Sequence, residues 1–359
     1  MHTAKAHILL VAALTAGTVL AQDDSDGIRA ALDKQEFPAA VDTVPVTVQD
    51  FPTAETHHMM QVAIEELDCL GDWAHFRDLT PIDRQNVVRM NRDTLYSSLV
   101  LDLSTPAVIT KPDIGDRYQS LLVVNEGHFA RQVIYEPGEY ELTQEDMGSR
   151  YVAVIGRTLV DAEDPEDLAR AHAAQDGIKV SQADKGRFEV PNWDQRNLEE
   201  MRDALKVLGK YLKVRDRAYG ASLDEVDPAA YLIGTADTWG GWKPENAVYL
   251  NFTPVLNDGQ RPHVLTLKDT PAASNAFWSV SVYNRDGYFE KNEYDRYVIN
   301  SRKAQTNADG SVTVHFGGDP SQPNQLPITE DWNYMLRIYL PQPAYFDGSW
   351  APPEATPVK

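Results

Sequence analysis

The chain has 359 residues, of which 42% are hydrophobic, and a formal net charge of −21 at pH 7. This acidic balance argues against a partner that is nucleic acid or an anionic membrane surface, because both need clustered Lys and Arg. The length suggests two domains, each with its own core. The one cysteine, Cys69, excludes an internal disulfide and lies in an apolar helical pattern typical of a buried thiol.

The first 21 residues are typical of an export signal. Lys5 precedes an apolar stretch over residues 8–20, and Ala21 ends a small-residue cleavage site. The stretch is too short and too rich in Ala, Thr and Gly for a transmembrane helix, and no later segment is apolar for long enough to span a bilayer. We therefore expect an exported protein, periplasmic or secreted, that is not inserted in a membrane.

The pattern predicts an N-terminal β-sandwich domain over residues 22–190, with a leading helix. Apolar residues recur at helical spacing in 53–70, where Thr53 or Thr56 can cap the helix. Short strands follow, at 94–101, 118–124 and 151–160. Asp164 and Pro165 then begin a short helix as its cap and first residue.

A helical bridge and an irregular connection are predicted over residues 191–245. Leucine and methionine recur every three or four residues from Leu198 to Leu212, which indicates an amphipathic helix over 192–219. Residues 220–245 contain several Gly and Trp residues and are expected to be irregular. From residue 246 to 359 alternating strands and polar turns return, typical of a second, jelly-roll-like sandwich. The fold class is thus mainly β, with two antiparallel β-sandwich domains and a helical segment between them.

Directional polar side chains are concentrated where the first long strand begins. They are Arg89, Asn91, Arg92, Asp93 and Tyr96. One interpretation is a ligand site, since the planar guanidinium of Arg92 suits a carboxylate, sulfate or phosphate. The other is a buried network in which Asp93 holds an arginine and Asn91 satisfies a turn. The sequence leaves both open.

An enzymatic version of the ligand site would not need a metal. Tyr96 would transfer the proton, Arg92 would lower its pKa or stabilise an oxyanion, and Asp93 would position the arginine. Such a site would be of the hydrolase or lyase type.

A second polar set is predicted in the C-terminal half: Arg296, Tyr297, Arg337 and Tyr339. Aromatic rings beside arginine suit sugar rings or aromatic acids, and they equally suit a sandwich core or a domain interface.

The sequence contains none of the familiar hydrolase, zinc, phosphate-loop or dinucleotide motifs, so no cofactor or metal is predicted. His57, His75 and His128 could bind a metal only if the fold brought them together.

Three motifs of the chain stand out together. They are residues 88–97, around Asn91-Arg92-Asp93-Thr94-Leu95-Tyr96, then 277–289 with Asn292, Arg296 and Tyr297, and finally 336–341 with 347–353. These motifs resemble a bacterial two-domain family, the domains of unknown function numbered 1254 (N-terminal) and 1214 (C-terminal). The resemblance implies two β-sandwich domains, the second of jelly-roll type, and no established activity, cofactor or catalytic residue. The chain departs from the family at Gln325, where relatives tend to have tryptophan.

The leading functional hypothesis is an exported, soluble protein that binds a polar or anionic small molecule, an organic acid or a sugar-like compound. Its cleft would lie near the domain interface, where such sites tend to form. The alternatives are an enzyme acting on the same ligand class and a structural or assembly protein of the cell envelope. A homo-oligomer is left open.

Overall fold

The computed structural model describes residues 42–85, 87–213 and 217–358. The predicted export signal, residues 1–21, lies outside the described residues. The described part of the chain is mainly β, with 16 strands in four sheets. The strands of the first half are β1 Ala74–His75, β2 Thr94–Asp102, β3 Ala107–Lys111, β4 Gln119–Asn125, β5 Ala130–Ile134, β6 Gly138–Leu142, β7 Tyr151–Leu159 and β8 Lys179–Gln182.

The second half of the chain contributes the other eight strands. They are β9 Ala247–Phe252, β10 His263–Leu267, β11 Trp278–Tyr283, β12 Val298–Asn300, β13 Val312–Phe316, β14 Gln325–Leu326, β15 Asn333–Tyr339 and β16 Thr356–Pro357. The helices are α1 Phe51–Leu67, α2 Gln144–Met147, α3 Pro165–Asp176, α4 Gln195–Gly209, α5 Pro228–Asp237 and α6 Pro343–Phe346, with short 3₁₀ turns at Ile82–Arg84 and Leu223–Glu225.

The N-terminal sandwich packs a five-stranded sheet, in the order β1-β2-β7-β4-β5, against the three-stranded sheet β6-β3-β8. All pairings in both sheets are antiparallel. The core between them includes Leu99, Leu121, Val154 and Ile109. Every residue of β2, β4 and β7 is buried, which explains why these strands are almost continuously apolar in sequence.

The C-terminal sandwich packs the sheet β12-β11-β15-β9 against the sheet β14-β13-β10-β16. Val280, Leu336, Val314 and Phe316 meet in its core, as their alternation in sequence predicts. The β13–β14 pair is parallel and the other pairs are antiparallel. The predicted fold class of two β-sandwiches is therefore confirmed, with one mixed sheet.

The second face of the five-stranded sheet is covered as well. Met60 of α1, Trp239 and Trp242 of the connection, and Phe277 and Tyr339 of the C-terminal half all belong to one buried cluster on that face. The domain interface is therefore itself a hydrophobic core.

Three helices differ from the sequence prediction. Helix α1 begins at Phe51 rather than at residue 53, and α4 covers Gln195–Gly209 rather than 192–219. The α5 helix lies in the segment predicted to be irregular: Asp227 caps it by accepting from the backbone N–H of Ala229 and Ala230. Gly234, which is typical of a turn in sequence, lies inside this helix. It allows the helix to pack closely against Ala218, since a Cβ at position 234 would lie 2.9 Å from the Cβ of Ala218.

Helix α3 matches the prediction, with Asp164 as its cap and Pro165 as its first residue. The short helices α2 and α6 were not predicted. Among the described residues no helix combines the length and apolar character that a membrane crossing needs.

Candidate functional site

Arg337 connects the C-terminal sandwich to the segment that precedes β2. Its buried guanidinium donates to the carbonyl oxygen of Arg89 at 2.8 Å, to Ser281 Oγ at 2.8 Å and to the Tyr283 hydroxyl at 2.7 Å. Arg89 in turn donates to Asn333 Oδ1 at 2.7 Å. Because the hydrogen bonds of Arg337 end on this chain's own groups, the contact has the form of a structural clasp.

Arg92 and Asp93 also contact the C-terminal half. Arg92 donates to the carbonyl oxygen of Thr80, and its guanidinium lies 5.2 Å from the centre of the Tyr297 ring. Asp93 is fully buried and accepts from Asn300 Nδ2 at 3.1 Å, while its Oδ2 atom has no hydrogen-bond partner. Burial raises the pKa of Asp93 above its ordinary value.

Asn91 joins two tyrosine hydroxyls from different domains. Its Nδ2 lies 3.0 Å from Thr94 Oγ1 and 3.3 Å from the hydroxyls of Tyr96 and Tyr339, and its Oδ1 accepts from the backbone N–H of Asp93. The amide has two protons for these three acceptors, so at least one of the contacts is not a full hydrogen bond. The amide nitrogen accepts from neither tyrosine, so each hydroxyl keeps its own proton for donation.

The cation beside Tyr96 is Arg157, not Arg92. Tyr96 on β2, Arg157 on β7 and Ser120 on β4 are direct neighbours in one row across the five-stranded sheet. The Arg157 guanidinium lies 5.3 Å from the centre of the Tyr96 ring and 4.5 Å from that of the Trp242 ring. Arg157 is only 6% exposed. The row places a positive charge in the middle of the domain interface.

Several polar atoms around Arg157 are buried and have no hydrogen-bond partner among residues 42–85, 87–213 and 217–358. They are Arg157 Nη1, Ser120 Oγ, the Tyr118 hydroxyl and Trp242 Nε1. Tyr118 packs beside Tyr339, with the two ring centres 5.4 Å apart. We refer to these residues as the Arg157 cluster, which consists of Arg157, Tyr96, Tyr118, Ser120, Trp242 and Tyr339.

The charge of Arg157 is not balanced by an acid. Among the described residues no carboxylate forms an ion pair with it. Burial by itself lowers the pKa of Arg157, but the hydroxyls of Tyr96, Tyr249 and Tyr339 more than offset this, so the net pKa is raised and the guanidinium stays charged. An unpaired buried cation is costly, typically by several kcal/mol, so the cluster favours an anion or another strong acceptor.

The remaining predicted site residues lie elsewhere or serve as packing. Arg296 donates to the carbonyl oxygen of Pro320 at 2.8 Å and lies over the ring of Tyr294 at 5.5 Å, away from the cluster. Gln325, the departure from the family pattern, is buried on β14.

The three histidines do not converge. His57 contacts Glu126 at 2.8 Å, His75 contacts Ser97 at 2.8 Å and His128 contacts Thr235 at 2.8 Å. Within the described ranges no group of three His, Cys, Asp or Glu residues has a metal-binding arrangement.

Sequence reasoning missed Arg157, although a signal was present. An arginine interrupts the largely apolar sequence of β7, and a serine comes directly before the apolar run of β4. Neither residue belongs to a motif, and only strand pairing shows that they are adjacent.

Two family models match the chain. The model described as "Protein of unknown function (DUF1254)" matches residues 70–182, and "Protein of unknown function (DUF1214)" matches residues 255–343. The chain belongs to this two-domain family of unknown function. The predicted resemblance is thereby confirmed, and the match assigns no activity to either domain.

Among solved structures the chain is similar to the VPA0106 protein from Vibrio parahaemolyticus, with 17% identity and a TM-score of 0.68, over 87% of this chain and 98% of that one. An uncharacterized protein from Burkholderia cenocepacia is 15% identical, with a TM-score of 0.48, over 86% of this chain and 87% of that one. At such identities the first similarity shows the fold alone. No curated protein matches the chain.

Proposed function

We propose that this protein binds a small organic acid in the Arg157 cluster, at the interface of its two sandwiches. The observation that carries the proposal is the buried guanidinium of Arg157, which has an unpartnered Nη1 and no acidic partner among the described residues. A carboxylate would accept from Nη1 and from the neighbouring Tyr118 hydroxyl and Trp242 Nε1, which are also unpartnered donors.

The rings around the cluster favour a flat ligand body. Trp242 and Tyr96 lie against the guanidinium, and Phe277 stacks on Tyr339 with ring centres 4.3 Å apart. Aromatic rings bind planar apolar groups well, and a single arginine fixes the orientation of a carboxylate. The ligand class is thus an aromatic or otherwise planar carboxylic acid, the organic-acid branch of the hypothesis from sequence.

Tyr249 provides the solvent side of this site. It is 39% exposed, its ring centre lies 6.5 Å from that of Tyr339, and its hydroxyl acts electrostatically on Arg157.

Titration calorimetry with benzoate, comparing the wild type with Arg157→Met and Arg296→Met, tests the proposal. We expect benzoate to bind the wild type and Arg296→Met equally and Arg157→Met at least about 10-fold more weakly, a loss of about 1.4 kcal/mol. Equal binding by Arg157→Met, or no binding of any aromatic acid by the wild type, contradicts the proposal.

Stability measurements separate a binding role of Arg157 from a structural one. Replacing an unpaired buried cation with an apolar residue of similar volume is expected to leave stability unchanged or to raise it. If Arg157→Met instead lowers the free energy of unfolding by about 3 kcal/mol, Arg157 holds the interface together and the ligand site is elsewhere.

An enzyme acting on the same ligand is the second candidate, because Tyr96 and Tyr339 keep donatable protons beside a fixed positive charge. In it Arg157 takes the oxyanion-stabilising role that the sequence assigned to Arg92. Tyr96→Phe should then abolish turnover of a benzoate ester while benzoate binding changes less than about 3-fold. Turnover that persists in Tyr96→Phe rules this candidate out.

The predicted export signal, residues 1–21, would direct this protein out of the cytoplasm, so the ligand would be bound there. Mass spectrometry of the protein from its native host is expected to give a mature N-terminus at Gln22. A chain that keeps residues 1–21 contradicts this.

A further inference from the structure

A second buried cation lies near the Arg157 cluster. Lys111 ends β3, and its side chain shares the inward face of that strand with Ala107 and Ile109. Lys111 is 4% exposed and lines a cleft of about 70 Å³. The apolar alternation of β3 therefore ends in a lysine directed into the end of the sandwich.

The Lys111 side chain is buried, but its ammonium group is not fully enclosed, and no ion pair or hydrogen bond holds it among the described residues. Asp113 and Glu136 act on it only as nearby charges, and burial lowers its pKa. A lysine whose buried stem ends in an unpaired ammonium group in a cleft is a candidate ligand contact.

Two further polar groups that line the same cleft have no hydrogen-bond partner within the described part of the chain: the hydroxyl of Tyr118 and Oε1 of Gln119. The hydroxyl can donate to an anion, whereas the amide oxygen only accepts. Tyr135 and Asn275 also line the cleft, so both domains contribute. Because Tyr118 belongs to the Arg157 cluster as well, this tyrosine connects the cleft to the cluster.

We propose that the Lys111 cleft is a second anion subsite and that the ligand carries two acidic groups, one bound by Arg157 and the other by Lys111. The inference rests on the proposed function, because it takes Arg157 as the first anchor. The substrate class is then an aromatic or planar dicarboxylic acid. Two separated cations give a dianion an electrostatic advantage over a monoanion of the same shape.

The volume of the cleft is consistent with this role. A space of about 70 Å³ holds a carboxylate group but not a second ring. The planar body would therefore stay against the aromatic residues of the cluster, and only the second acidic group would enter the cleft. The donor available to it is the Lys111 ammonium, because the Tyr118 hydroxyl has a single proton, which it donates to the first carboxylate beside Arg157.

A matched series of acids tests the inference: benzoate, phthalate, isophthalate, terephthalate and 4-carboxyphenylacetate, which differ in the separation of their acidic groups. Titration calorimetry would compare the wild type with Lys111→Met and with Lys179→Met. Lys179 is exposed on β8, so it controls for the loss of one surface charge. We expect at least one dicarboxylate to bind the wild type about 10-fold more tightly than benzoate.

In Lys111→Met the dicarboxylate should bind no more tightly than benzoate, while the affinity for benzoate stays unchanged. In Lys179→Met the preference for the dicarboxylate over benzoate should persist. Glu136→Gln, which removes a neighbouring negative charge, should increase that preference. Dicarboxylates that bind no more tightly than benzoate, or a preference that survives Lys111→Met, overturn the inference and leave the proposed function intact. A wild type that binds none of the five acids overturns both.

Discussion

Two arginines at the domain interface are equally buried but differ in their partners. Arg337 donates to Arg89, Ser281 and Tyr283, whereas Arg157 has an unpartnered Nη1. A satisfied arginine contributes to folding, because its removal leaves its acceptors unpaired. An unsatisfied one contributes little to folding and much to the binding of an anion.

Arg337→Met is expected to lower the free energy of unfolding by about 3 kcal/mol, because it breaks a buried network that joins both domains. Urea unfolding at pH 7 measures this, with Arg296→Met as the exposed control, expected within about 0.5 kcal/mol of the wild type. A loss no greater than that of the control would show that Arg337 is not a clasp.

Asp93 is a buried acid whose pKa burial raises, so the native state binds its proton more tightly than the unfolded state does. Its ionisation therefore costs stability above the raised pKa, and the cost disappears as the pH falls toward the ordinary value near 4. Asp93→Asn imitates the protonated acid. It should be more stable than the wild type by about 1 kcal/mol or more at pH 8, with a smaller difference at pH 4.

Urea unfolding of the two proteins over pH 4–8 measures the difference for Asp93. The control is Asp286→Asn, which alters an exposed acid in the turn after β11. A difference that does not change with pH would mean that Asp93 is already ionised at low pH, held by Asn300 and the nearby Arg337.

Cys69 is buried, and burial raises the pKa of its thiol to about 12. Since the thiolate is the reactive form, the native protein should react with a chromogenic disulfide reagent at pH 8 more than about 100-fold more slowly than the protein in urea. Comparable rates would show that the segment between α1 and β1 opens readily.

At the scale of elements, β7 is the strand on which the site depends. It pairs with both β2 and β4, and so it brings Tyr96 and Ser120 to the two sides of Arg157. The residue before Arg157 is Gly156, where a Cβ would lie 3.0 Å from the Cβ of Ser97 and 3.2 Å from Cδ2 of Leu121. The side chains of Ser97 and Leu121 therefore pack against the backbone of Gly156, beside the site, where a side chain would leave too little space.

Gly156→Ala is therefore expected to lower stability by about 1–2 kcal/mol through overpacking. Thermal and urea unfolding measure it, together with Leu121→Val and the double variant. The double variant should lose less stability than the sum of the two single losses, because Leu121→Val removes the atom that the new Cβ would contact. If the double loss equals that sum, the contact with Leu121 is not the source of the overpacking.

At the scale of the whole molecule, the two sandwiches share a core. Tyr118 of the first domain contacts Phe277 and Tyr339 of the second, with ring centres 5.3 and 5.4 Å apart. Arg337 and Asn300 add polar contacts across the same boundary. An interface this apolar couples the domains, unlike the polar contacts of loosely linked ones.

The described chain should therefore unfold in one cooperative transition. Far-UV circular dichroism and tryptophan fluorescence in urea are expected to give the same midpoint, and Phe277→Ala should shift both by the same amount. Two separate midpoints would show that the sandwiches fold independently and that the interface is weak.

The sequence predicted the elements that have strong local signals. Alternation placed Val280, Leu336 and Val314 in the C-terminal core, and Asp164 with Pro165 marked the start of α3. Helix α5 was missed because Gly234 resembles a turn signal, and the cap residue Asp227 with Pro228 at the first helical position was overlooked. The polar segment before β2 was also identified, and it does lie at the domain interface. The roles given to Arg92, Asp93 and Tyr96 stay predictions.

By itself the sequence determined the acidic charge, the family, the mainly β fold and the strands that line each core. The family follows from the resemblance of three motifs. The charge follows from composition, and the fold and its strands follow from periodicity along the chain, because burial imposes a period of two on a strand. Only the tertiary structure decided that Arg157 lies between Tyr96 and Ser120. It also decided that Arg337 donates to groups of this chain, whereas Nη1 of Arg157 has no partner among the described residues. Those facts depend on strand pairing and on contacts between residues distant in sequence, and a pattern of nearest neighbours does not contain them.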